Sequence, residues 1–129
     1  CFWYGIEWTF TPAGEPKMVN TTEGPTITLT QGTDPDNPAP IQRISTSTGK
    51  RTLGVRLAPD GNDHDEYLYR MQQATKMKQR VNAAPLGREY IGIGFRAIWQ
   101  MMMQYPLGAT CFTPQQCSKL QATYLPTFL

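Results

Sequence analysis

The chain has 129 residues and a formal net charge of +2, which suits one domain or a piece of one. Hydrophobic residues make up 40% and charged residues 17%, while Gly and Pro, 11 each, crowd the first half. No apolar run of about 18 residues exists, which excludes a membrane-spanning helix, and three cysteines beside one histidine argue against a disulfide framework or a zinc set. Cys1, Cys111 and Cys117 read as free thiols, which points to a reducing, intracellular setting. A start at Cys1 and an end without a polar tail lead us to expect an excerpt of a longer protein.

The first ten residues, CFWYGIEWTF, place Phe2, Tyr4, Ile6, Trp8 and Phe10 at alternate positions, and this aromatic period of two predicts a strand. Residues 11–24 are rich in turn formers, with a hairpin expected through PAGEPK. A short strand is expected at Thr26–Leu29, a loop at 31–40 (QGTDPDNPAP) and another short strand at 41–45. After a turn at TSTGKR, Leu53 to Leu57 read as a strand stopped by Pro59, Asp60 and Gly61. Gly54 weakens that strand unless something approaches its backbone closely.

Beyond Gly61 the period changes. Asp63 and Glu66 have capping-box spacing, and Tyr67, Met71, Ala74, Lys78 and Val81, widened by Leu68 and Met77, step every three or four residues. They predict a helix from Asp63 to Ala83, ended by Pro85. A second helix over 86–105 would carry its apolar stripe on Tyr90, Ile91, Phe95, Ile98, Met102 and Tyr105, and stop at Pro106 and Gly108. Thr113-Pro114-Gln115-Gln116 opens a third, from Pro114 to about Tyr124. Strands followed by helices predict an α+β fold, a small antiparallel sheet and then a three-helix bundle, divided into 1–62 and 63–129. A sheet this small is marginal alone, and its aromatic strand needs cover.

Charge is unevenly placed. Residues 1–42 hold one Lys against five acids, −4, whereas residues 43–96 hold ten Lys and Arg against five acids, +5. The first helix carries Arg70, Lys76, Lys78 and Arg80. Such a segment suits a polyanionic partner, and it is also what a solvated helix face carries. No catalytic constellation emerges. His64 has no elbow serine to serve, Asp60, Asp63, Asp65 and Glu66 lack calcium-loop spacing and suit a helix N-terminus, and GREYIGIG follows no strand. The run Met101–Met103 reads as core filler.

The segments CFWYGIEWTF, TLGVRLAPDG and PLGREYIGIGFRAIWQMMMQYPLGATCFTPQQCSKLQATYLPTFL, in this order and spacing, resemble the region downstream of the active site in retroelement (retrotransposon) reverse transcriptases, closest to non-LTR-like elements of diatoms and other algae. The resemblance covers most of the chain and is weakest across 11–40. It implies that Cys1–Phe10 is the palm strand after the active-site hairpin. It further implies that Leu53, Gly54 and Val55, with Arg56 beside them, belong to the primer grip, and that the helices form the thumb. The implied partners are an RNA/DNA primer–template duplex, held through its backbone by these residues and by Arg70, Lys76, Lys78 and Arg80, and the remainder of the polymerase chain. In the family, aspartates that include a Y-x-D-D pair hold two divalent metal ions, Mg, for RNA-directed DNA synthesis. This sequence has no Y-x-D-D and no adjacent Asp pair. The resemblance therefore implies a non-catalytic segment without a cofactor of its own, the metal-holding acids lying before Cys1. A second reading of the same residues is a small helical protein-interaction module without a nucleic-acid role, using the three apolar stripes and the aromatic strand.

Overall fold

Glycine 5 divides the aromatic N-terminal segment in two in the computed structural model, which describes residues 1–21, 23–29 and 38–128. The fold is α+β, with short strands first and helices after. The chain forms two units, Cys1–Thr48 with Ala58–Asn62, and Gly49–Leu57 with Asp63–Leu129. The boundary expected at 62/63 is thereby corrected for residues 49–57, a hairpin that groups with the helices. The reason is that the side chains holding it in place come from the helices.

The first unit contains β1 (Phe2–Tyr4), β2 (Ile6–Phe10), β3 (Pro16–Asn20), β4 (Thr28–Leu29), β5 (Ala39–Pro40) and β6 (Gln42–Ile44). Gly5 is buried, and a Cβ there would overlap the guanidinium of Arg43, so any larger residue at the break in the aromatic segment would force the Arg43 side chain to shift. Arg43 lies 4.9 Å from the Trp3 ring, its register partner in the parallel pair β1–β6. β2 and β3 form the expected antiparallel hairpin, with Gly14 at φ 82 closing the loop through its N–H to the Thr11 carbonyl at 2.8 Å. Along β2, Ile6, Trp8 and Phe10 share one face, opposite Asn20, Met18 and Pro16, and all three are exposed. β4 and β5 pair antiparallel. Residues 31–37 of the expected loop lie outside the described residues.

The second unit contains β7 (Lys50–Thr52), β8 (Val55–Leu57), α1 (His64–Ala83), α2 (Arg88–Gly94), a π-helical stretch (Phe95–Gln100), α3 (Met101–Gln104), a 3-10 turn (Tyr105–Gly108) and α4 (Pro114–Phe128). Its core is Ala74 of α1, Trp99 of the π stretch and Tyr124 of α4, with Met77, Phe95, Met102, Met103 and Phe128 packed around them. The Trp99 and Tyr124 ring centroids are 4.2 Å apart.

The π stretch explains why the stripe expected on the second helix is displaced. A π turn takes more residues than an α turn, so it shifts the phase of everything after it. Beyond its start the buried residues are Trp99 and Pro106, Phe95 and Met102 of the expected stripe stay half-buried with Met103, and Ile98 and Tyr105 stand in solvent; Tyr90, ahead of the π stretch, is exposed as well. The α-helical run ends at Gln104, just before Pro106, and a 3-10 turn over Tyr105–Gly108 carries the chain on to Gly108. α4 opens as expected: Gln116 N–H donates to Thr113 Oγ1 at 3.2 Å, and Thr113 N–H donates to Gln116 Oε1 at 2.8 Å. It continues past Tyr124 through Pro126, whose missing N–H is offset by Phe128 packing 4.9 Å from the Phe95 ring. The capping box expected at Asp63 and Glu66 does not form, because both carboxylates serve other segments.

Candidate nucleic-acid interface

The hairpin β7–β8 turns at Leu53 and Gly54, which corrects the expectation of a strand from Leu53 to Leu57. Both residues have positive φ, 50° and 91°, the pattern of a two-residue turn whose twist matches the flanking strands. The glycine is needed for its left-handed backbone and also for room. A Cβ on Gly54 would lie 3.2 Å from Cε1 of Tyr105, so the group that approaches it is an aromatic ring. Leucine at positive φ costs about 1–2 kcal/mol, and Leu53 is 88% exposed, so no burial of its side chain offsets that cost.

Four side chains hold this strained hairpin. Tyr105 Oη donates to the Leu53 carbonyl at 2.6 Å. Glu66 Oε2 accepts the Arg56 N–H at 2.7 Å, and Asp65 Oδ2 accepts the Gly49 N–H at 2.5 Å. Arg70 Nη2 donates to the Gly54 carbonyl at 3.4 Å. Arg70 also donates through Nε to Glu66 Oε1 at 2.5 Å and through Nη1 to the Met102 carbonyl at 2.8 Å. Glu66 and Arg70 are 0% and 4% exposed, so this ion pair ties the hairpin, α1 and α3 together from inside. A third acid of the same turn, Asp63, accepts the Cys111 N–H at 2.6 Å.

Outside this latch lies a row of cations. Arg51 and Arg56 are cross-strand partners and share one face of the hairpin, opposite to the face of the buried Val55. Like charges placed directly opposite destabilise a ladder. Part of that cost is offset because the Arg56 guanidinium stacks 3.8 Å over the ring of Tyr69. On α1 the buried direction is set by Glu66, Arg70, Ala74 and Val81. At 100° per residue, Tyr69, Lys76 and Arg80 fall together on one flank, and Lys78 on the other. Lys76 and Arg80 are exposed. Among the described residues, Arg51, Arg56, Lys76 and Arg80 make no ion pair. From Tyr69 to Arg80 the helix rises about 16 Å, or roughly five nucleotide steps along one strand.

Of the residues expected to contact a phosphate backbone, the structure brings Arg56, Lys76 and Arg80 onto one side. Leu53 and Gly54 form the turn beside them, and Val55 faces inward. Arg70 is corrected: it is a core residue with its guanidinium spent on Glu66 and two carbonyls. Lys78 is half-buried on the opposite flank. Tyr69 is the residue that sequence reasoning missed; its spacing of seven and eleven from Lys76 and Arg80 was the available signal. Asp63, Asp65 and Glu66 each accept a backbone N–H, and among the described residues no cluster of three His, Cys, Asp or Glu side chains is placed to hold a metal ion.

Compared with protein-family models, with curated proteins and with solved structures, the chain has no match.

Proposed function

We propose that the helical unit and its hairpin bind the backbone of a nucleic-acid duplex without catalysing its synthesis, as the resemblance to the primer grip and thumb of reverse transcriptases implies. The observation that carries this reading is a set of cations without an ion pair among the described residues, Arg51 and Arg56 on a hairpin that buried side chains lock in place and Lys76 and Arg80 on the Tyr69 flank of α1, where Arg56 stacks on Tyr69. Cations without carboxylate partners, set along a rigid edge, neutralise phosphates and carry no base readout. Four such contacts give a slope of log K against log salt near −3.6 on B-form DNA, at about −0.9 per phosphate. The test is a salt titration of binding to a labelled hybrid duplex. Arg51→Ala, Lys76→Ala and Arg80→Ala should each flatten the slope by about 0.9, and Lys78→Ala should leave it unchanged. Identical slopes for all four variants would remove the row from the contact set.

A protein-binding reading draws on a different surface. Tyr90, Ile93, Ile98, Met101 and Tyr105 are all more than half exposed along the second helical run. Partner capture that persists at high salt and is lost in Ile93→Ser/Met101→Ser would favour that reading over the duplex.

A further inference from the structure

The helical unit carries an open pocket of about 320 Å³, within the size range of small-molecule sites. Its lining includes the half-buried rings of Phe95 and Phe112 and the apolar Met103, Leu107 and Leu120, with the core residues Trp99 and Tyr124 buried at its edge. Gln100, Gln104 and Gln121, all exposed, also border it, and no charged side chain lines it among the described residues. Trp99 is fully buried, and its Nε1 has no acceptor among the described residues.

Three features narrow the occupant. Flat aromatic rings favour a flat ligand that stacks on them. Neutral amides without a nearby charge favour an uncharged ligand, and a glutamine amide pairs with an adjacent donor and acceptor, as on the N6/N7 edge of adenine. The π stretch that supplies Phe95, Trp99 and Gln100 is a helical irregularity frequently found at functional sites. We propose that this pocket binds a neutral, planar heteroaromatic molecule of purine size, stacked on the aromatic rings with its hydrogen-bonding edge at the glutamines. The proposal does not rest on the cation row or on the duplex reading.

Cys117 lines the same pocket and is half-buried, whereas Cys1 and Cys111 are exposed and outside it, so the chain carries its own reporter and controls. The full chain is alkylated with iodoacetamide in the presence of free adenine, and each cysteine is followed by mass spectrometry. Adenine at about twice its dissociation constant should slow Cys117 about threefold and leave Cys1 and Cys111 unaffected. Gln104→Leu/Gln121→Leu, at exposed positions, should keep the helical circular dichroism and weaken adenine protection about tenfold, the loss of roughly one hydrogen-bonded edge. No protection of Cys117 up to the solubility of adenine, equal slowing of all three cysteines, or undiminished protection in the glutamine variant would each overturn the proposal.

Discussion

Replacing Glu66 by Gln removes one negative charge from the centre of the latch while keeping its shape. The carboxylate accepts from Arg70 Nε and from the Arg56 N–H, and both Glu66 and Arg70 are buried. In the variant the Arg70 guanidinium keeps its two carbonyl acceptors but loses its counter-charge. Breaking a buried pair by removing one partner costs about 3–5 kcal/mol, a large share of the roughly 5–15 kcal/mol that holds a domain together. Arg70→Met strands Glu66 in the same way. The double variant Glu66→Gln/Arg70→Met strands no charge, and the carbonyls of Gly54 and Met102 lose the Arg70 donors only as they already do in Arg70→Met. The double variant should therefore cost less than the sum of the two single changes by at least about 2 kcal/mol. The assay is equilibrium urea unfolding followed by fluorescence in a Trp3→Phe/Trp8→Phe background, so that only Trp99, in the same unit as the latch, reports. A cost below about 1 kcal/mol for Glu66→Gln, or single costs that simply add, would refute the reasoning.

Leu53→Asn relieves a left-handed leucine with no buried side chain to lose, and should raise the thermal midpoint by the equivalent of about 1 kcal/mol. Gly54→Ala should lower stability by more than about 1 kcal/mol, since it adds strain at φ 91 and crowds the Tyr105 ring; Tyr105→Phe in the same background separates crowding from loss of the Leu53 bond. Thr113→Ala removes the cap of α4 and should cost about 1 kcal/mol in urea unfolding. Trp99→Ala empties the centre of the core and should cost about 3–5 kcal/mol, read as loss of cooperative melting by circular dichroism.

Local chemistry was the legible part of this sequence. The β2–β3 hairpin, the long helix ending before Pro85 and the reciprocal Thr113–Gln116 cap all follow from short patterns whose partners lie a few residues away. What the pattern could not reveal depends on distant partners. Arg70 looks like any surface cation until Glu66, Met102 and Gly54 are brought around it. Leu-Gly flanked by apolar residues reads as strand, and only the pairing of Lys50–Thr52 with Val55–Leu57 makes it a turn. The π stretch has no composition of its own, so the expected stripe keeps Phe95 and Met102 against the core but puts Ile98 and Tyr105 there wrongly and misses Trp99. Within the candidate site, charge located the segment, and helix geometry divided it into a usable flank, a core arginine and a lysine on the far side.

Asp63, Asp65 and Glu66 all belong to the opening of one helix, and between them they hold the amides of Cys111, Gly49 and Arg56. Three backbone protons from three separate stretches of chain thus share one point of release. If that opening turn frays, all three lose their acceptors at once, so their exchange with solvent deuterium should proceed as a single cooperative event. The head of α1 thereby sets how often the β7–β8 hairpin comes loose from the helices that carry it.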